Sequence, residues 1–274
     1  MLPVLFKIGP VTIYSFGFFL TVAYFVATFI LWREGKRQGY NEEKLLDLSV
    51  ISLIAAILGG RVYYLFLNWQ FFSDEPVRAF YFWEGGFAYH GALVGVLLAA
   101  SYFIKKWKWS FFQIGDIAAL STSAALVFGK TGTFLAGLDY GKESLLPWSV
   151  KLPGLIGSRH PVQLYEAGSY FIIFVILYFL FFRNLVSSNM KSGKVFFIFM
   201  ISTSLVGGFL EFFRAEHFYI YTVPLATIVS LAVATISIIA LYYFQIRNFR
   251  SDAATVASAL LGLNTRLLRK FRFK

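Results

Sequence analysis

Residues 46–67 read LDLSVISLIAAILGGRVYYLFL, an apolar run of about the 20 residues that a helix needs to cross a bilayer. Its charges are Asp47, at the very start, and Arg61. Hydrocarbon penalises a charged side chain unless it faces a protein interior, a water-filled cavity or a partner. An arginine inside such a run therefore points to a function as well as to a fold. Six more stretches of similar character follow the same reading, at 11–32, 87–104, 111–128, 162–182, 195–213 and 223–244. The expected fold is all-α: a polytopic membrane protein with about seven transmembrane helices and outer interfacial or arm segments. Residues 1–246 form the seven-helix domain, and residues 247–274 form a basic amphipathic cytoplasmic tail.

Composition points the same way. Of the 274 residues, 58% are hydrophobic and only 14% are charged, where a soluble domain carries about a quarter. The formal charge of +11 follows the positive-inside bias of membrane proteins, so nucleic acid is not expected as a partner. There is no cysteine. That excludes a cysteine nucleophile, a thiolate metal site and a disulfide. The start, MLPVLFKIGPVTIYSFG, lacks a basic n-region and a small-residue cleavage site, so the first apolar stretch reads as a retained span.

Orientation follows from the cations. Arg33, Lys36, Arg37 and Lys44 lie in the first connection, Lys105, Lys106 and Lys108 in the third, and Arg183, Lys191 and Lys194 in the fifth. Arg247, Arg250, Arg266, Arg269, Lys270, Arg272 and Lys274 lie in the tail. These seventeen of the 25 basic residues fall on one side, which is then the cytoplasm. The amino terminus is expected outside and the carboxyl terminus inside. The other eight basic residues fall at or near outer span ends. Lys7, Arg78 and Lys151 read as lipid head-group contacts. For Arg61 anion binding is the economical reason, because guanidinium forks match phosphate oxygens.

Outer connections are long. Residues 68–86 (NWQFFSDEPVRAFYFWEGG) are aromatic enough to lie in the membrane interface. A cluster of Arg61, His90, Asp116, Lys130, Arg159, Glu166, Glu211 and Arg214 is expected at one end of the membrane, as a polar site open to one face. Within WEGGFAYHGALVGVLLA, His90 is flanked by glycines that let a neighbouring helix or a lipid head group approach closely. A neutral imidazole there is able to accept a proton. Glycines at 129, 132, 137 and 141 around Lys130 suggest a folded-back backbone whose N–H groups cradle an anion. It is not a Walker loop, since the spacing is wrong. In SRHPVQLYEAGSY, Gln163 and Glu166 share a helix face with Tyr165 beside them, and in LVGGFLEFFRAE, Glu211 and Arg214 pair at i, i+3. A carboxylate orienting an arginine is the ordinary reading, and it is also how a phosphate clamp is held.

The motifs GGRVYYLF, WEGGFAYHGALVG, FGKTGTFLAGLDYGK, RHPVQLYEA and EFFR, in this order, resemble the prolipoprotein diacylglyceryl transferase family of bacterial inner membranes. The likeness runs from about Tyr14 to Arg214. It implies transfer of the diacylglyceryl group of phosphatidylglycerol to the lipobox cysteine of a prolipoprotein, with release of glycerol 1-phosphate and without metal or organic cofactor. The partners implied are phosphatidylglycerol, the lipobox peptide and the lipid bilayer. The resemblance makes His90, Arg61, Lys130 and Arg214 the candidate catalytic residues. Tyr14, Gly91, Thr133, Gly141, Gln163, Tyr165, Glu166 and Glu211 become the candidate substrate-binding residues.

Four positions depart from the family's pattern. Lys130 stands where arginine is usual and Thr133 where asparagine is common. Phe16 replaces a tyrosine, leaving Tyr14 two residues upstream, and Gly207 replaces an arginine. Lysine keeps the charge and loses the bidentate fork. The alternatives are a non-catalytic lipid-binding relative and a lipid or anion transporter. Against a transporter, seven spans do not divide into two equal repeats. A retinal-type photoreceptor would want a lysine in the last span, and 223–244 has none.

Overall fold

The computed structural model describes residues 2–152, 154–186, 192–215, 219–220 and 223–246, and the expected amphipathic tail lies outside them. Among the described residues, six helices are long and apolar enough to cross a membrane: Ser15–Arg37, Glu42–Leu67, Phe111–Ala136, Val162–Arg183, Lys194–Phe213 and Leu225–Phe244. The remaining expected span, 87–104, is also a helix, Tyr89–Lys106. Its Tyr89 and His90 at one end and Lys105 and Lys106 at the other make it more polar than the six. The chain divides into two compact units, Met1–Leu138 and Asp139–Lys274.

The first unit opens on a hairpin, β1 (Val4–Ile8) and β2 (Val11–Tyr14), so residues 11–14 are strand rather than the start of a span. Leu2 N–H donates to Leu135 O at 3.1 Å, and Ser15 N–H to Pro3 O at 2.9 Å, which pin the hairpin to the helices. Then come α1 (Ser15–Arg37), α2 (Glu42–Leu67), the short α3 (Trp69–Asp74), α4 (Tyr89–Lys106) and α5 (Phe111–Ala136). Asn41 and Ser110 cap α2 and α5 by accepting from the N–H of Lys44 and Gln113. Gly137, in the left-handed region, ends α5.

Two antiparallel helix pairs make up this unit. α1 packs on α5, where a Cβ on Gly132 would sit 2.7 Å from Phe19 Cβ. At the other end of this pair, the Tyr40 hydroxyl following α1 donates to Gln113 Oε1 at 2.7 Å. α2 packs on α4 through glycines. A Cβ on Gly59 would lie 2.5 Å from Gly91 O, and one on Gly91 would strike Tyr63 Cβ and Gly59 O. Lipid is as apolar as leucine, so close backbone approach is what drives such pairs together.

The second unit begins with a small ribbon. Arg214 bridges to Gly141, and Glu143 bridges to Arg159. β3 (Val150–Lys151) pairs with β4 (Ser158–Arg159) on the other side. Three helices follow: α6 (Val162–Val186), α7 (Lys194–Leu210) and, after β5 (Tyr219–Ile220) and β6 (Val223–Pro224), α8 (Leu225–Leu241). A 3-10 turn over Glu211–Phe213 carries the chain from α7 to Arg214. α7 meets α8 where Thr227 Oγ1 donates to Gly208 O at 3.2 Å.

Candidate functional site

Arg61 departs furthest from expectation. It is 4% exposed. Its Nε donates to Ala79 O at 2.9 Å, and its Nη1 to the carbonyls of Gly85 and Gly86. Its Nη2 donates to Arg78 O at 2.6 Å and Tyr81 O at 3.3 Å. A guanidinium has five N–H donors, and five backbone oxygens take them. The rings of Phe72, Phe82 and Phe87 close around it, the nearest centroid at 5.5 Å. The assignment of Arg61 to a phosphate is therefore corrected: the side chain organises residues 69–86 and has no donor left to offer. Gly85 and Gly86 both have φ of +78°, a conformation that turns their carbonyls inward and suits glycine. A Cβ on Gly86 would lie 2.5 Å from the Tyr64 ring. The segment they close presents Trp69, Phe80 and Trp83 outward.

Of the two approaches expected at the glycines around His90, the one seen at Gly91 is a neighbouring helix. Gly91 is buried against Gly59 and Tyr63, so its missing side chain admits α2. His90 precedes it on the first turn of α4, with an exposed side chain set edge-to-face against Tyr89. Lys130 and Thr133 lie inside α5 and not in a loop. Helical N–H groups there are spent on carbonyls one turn back, so the expected anion-cradling bend at 129–136 does not form. Thr133 Oγ1 donates to Lys130 O at 2.8 Å. Tyr14 is exposed at the end of β2, in the N-cap position of α1. Asp116 is corrected too. It lies in the second turn of α5, some 14 residues or about 21 Å from Lys130 along the axis, and so belongs to the opposite end of that helix.

In the second unit, residues far apart in sequence converge. Arg214 Nη2 donates to Glu166 Oε1 at 2.6 Å, and its Nε lies 3.5 Å from Glu211 Oε2. Gln163 and Glu166 are 1% and 2% exposed, on one face of α6 as the spacing required. Burial works to lower the Arg214 pKa. Attraction to Glu166, its hydrogen bond, and the charges of Asp139 and Glu211 outweigh that and hold it above its ordinary value. Tyr165 accepts from Trp148 Nε1 at 2.8 Å and lies 3.4 Å from His160 Nδ1.

Gly141 is a place of close approach. A Cβ there would lie 2.5 Å from His160 O and 2.8 Å from Val162 Cγ2, so only glycine lets its strand run between Arg214 and the entry to α6. His160 and Trp148 were given no role by sequence reasoning, and Arg159 was placed in the polar cluster without a role of its own. The signal available was thin: a single tryptophan in a long connection, and an arginine and histidine beside Pro161.

A family model for prolipoprotein diacylglyceryl transferase matches residues 3–243. The chain belongs to the prolipoprotein diacylglyceryl transferase family. A relative from Trichormus variabilis is 31% identical over 257 residues, covering 90% of both chains. One from Geobacter sulfurreducens is 33% identical, covering 77% of this chain and 82% of its own. Another, from Legionella pneumophila, is 33% identical over 217 residues, covering 77% and 83%. Each bears the name phosphatidylglycerol–prolipoprotein diacylglyceryl transferase. In this family member, the Gln-Leu-Tyr-Glu and Glu-Phe-Phe-Arg motifs are one physical object, the Glu166–Arg214–Glu211 ion cluster.

Proposed function

We propose that this chain transfers the diacylglyceryl group of phosphatidylglycerol to the thiol of a lipobox cysteine in a prolipoprotein. The observation that carries this reading is the match, over 90% of both chains, to a relative of that name. Family membership makes the chain a transferase of lipoprotein biosynthesis, and its six apolar helices make it a multi-pass membrane protein. We place it in the bacterial cytoplasmic membrane, amino terminus outside, on the charge asymmetry of its connections. Cysteine accessibility that put residues 139–161 in the cytoplasm would overturn this orientation.

The chemistry is a displacement. The cysteine sulfur bonds to the terminal glycerol carbon as the bond from that carbon to the phosphate oxygen breaks, and glycerol 1-phosphate leaves. His90 takes the thiol proton, since the thiolate is the nucleophile. Lys130 supplies positive charge to the leaving phosphate, and a preorganised contact of this kind is worth about 2–4 kcal/mol in the transition state. Arg214 is a positioning residue, held by Glu166 and Glu211. Gln163 shares the face of α6 that carries Glu166, Tyr165 beside it meets Trp148 and His160, and Tyr14 and Thr133 are lipid contacts.

Restoring lipoprotein lipidation in cells depleted of their own transferase tests the activity. A well-expressed chain that restores none would favour the non-catalytic lipid-binding relative. In the same assay, Lys130→Arg should preserve or raise transfer, because the fork adds a second hydrogen bond to phosphate. A sharp loss would remove Lys130 from the phosphate.

A further inference from the structure

Arg159 and Arg214 stand on either side of the Gly141 strand, yet their partners differ. Two buried carboxylates hold Arg214, at 2.6 and 3.5 Å. Arg159 is a loosely held cation. Its Nη1 reaches Gly141 O at 3.3 Å, and its Nη2 lies 3.6 Å from Glu143 Oε1, on a side chain that is 69% exposed. Among the described residues its buried Nε has no acceptor, and the guanidinium lies over the Tyr140 ring at 5.2 Å. The Nε and Nη2 donors form one edge of the fork, and that edge suits two oxygens of a single anion. A buried donor with no acceptor is costly, so a ligand that supplies one is favoured there.

We propose that Arg159 is the guanidinium of this unit that receives the phosphate of phosphatidylglycerol, and that Glu143 is the carboxylate the phosphate displaces from it. The inference deepens the transfer reading and rests on it for the identity of the lipid. Phosphate brings two oxygens to the Nε–Nη2 edge, and Glu143 swings into solvent with little loss, since an exposed pair at this distance contributes little. Tyr140 keeps the guanidinium plane fixed while partners change. Arg214 cannot serve in this way without abandoning two buried carboxylates, a costlier exchange.

The test is direct binding of glycerol 1-phosphate and of inorganic phosphate to the purified full chain in detergent at low salt, by calorimetry. Transfer from phosphatidylglycerol vesicles to a lipobox peptide is measured alongside. Arg159→Ala should weaken binding of the glycerol phosphate about 10- to 100-fold. Arg159→Lys should recover only part, because an ammonium lacks the fork. Glu143→Gln should tighten binding several-fold and lower the KM for phosphatidylglycerol, an improvement that a merely structural Glu143–Arg159 pair would not give.

Tighter binding of glycerol 1-phosphate than of inorganic phosphate supports a head-group site, and equal binding supports a site that reads phosphate alone. Wild-type protein that binds neither anion overturns the proposal, as does binding that Arg159→Ala leaves unchanged. If Arg159→Ala does not fold, Glu143→Gln decides, and binding no tighter than wild type overturns the proposal. A wild-type chain that binds through Arg159 but transfers nothing would sink the transfer reading and leave the anion site standing.

Discussion

Arg61 lies inside an apolar helix and Arg214 just beyond the end of another, and the chain satisfies them by opposite chemistry. Arg61 gives all five donors to neutral backbone carbonyls inside an aromatic cage. Arg214 is met by the charged carboxylates of Glu166 and Glu211. The first arrangement fixes a loop and consumes the fork. The second cancels charge and fixes the arginine itself. A charge embedded in an apolar sequence therefore marks an ordered place, and its partners decide whether that place is architecture or chemistry.

The largest effect expected from this contrast is at Arg61. Arg61→Ala strands several buried carbonyls and should destabilise the protein by about 4 kcal/mol or more. It should also expose residues 69–86 to limited proteolysis. Arg61→Lys should rescue little, having three donors for five acceptors. A near-normal melting temperature for Arg61→Ala, with transfer lost, would return the residue to the phosphate.

His90 shares the first unit with Arg61 and has the opposite character, being exposed on a first helical turn. His90→Gln should leave thermal stability nearly unchanged while transfer falls about 10²–10⁴-fold. Raising the pH should recover part of the loss by pre-forming the substrate thiolate. Transfer near wild type in folded His90→Gln excludes it as the base.

At Arg214 the comparison is sharpened by a double-mutant cycle. Arg214→Ala leaves Glu166 buried beside a second carboxylate, and adding Glu166→Gln should relieve part of that cost. The coupling expected from unfolding measurements is about 1–3 kcal/mol. Strictly additive effects would mean that the 2.6 Å pair contributes nothing specific.

The smallest effect on stability is expected at Gly207. Among the described residues a Cβ there meets only Ser230 Oγ, at 4.0 Å, so Gly207→Arg should change stability by no more than about 0.5 kcal/mol. Set one turn before Glu211, the new cation should raise transfer. Loss of folding in this variant would show that α7 needs the open space.

Much of the site was legible because helical spacing is a strong constraint. Gln163 and Glu166 had to share a face of α6, and Glu211 and Arg214 had to pair across one turn, as they do. The bend expected around Lys130 was misread because glycine serves helices as well as bends. Gly132 lets α1 approach α5, and only Gly137 ends that helix. At Gly91 and Gly141 a missing side chain shows that something comes close, and only the fold shows that Gly59 and His160 do.

By itself the sequence determined the class of molecule, its apolar helices, the direction of its charge bias and the family to which it belongs. Hydropathy and helical period act along the chain and need no partner to be read. Tertiary structure alone decided that Arg61 is closed by carbonyls up to 25 residues away. It alone joined Arg214 to a glutamate 48 residues earlier and left Arg159 with a buried donor that no described residue meets. A hydrogen bond is a matter of distance and angle between groups that folding brings together, and residue identity fixes only what each group is able to donate or accept.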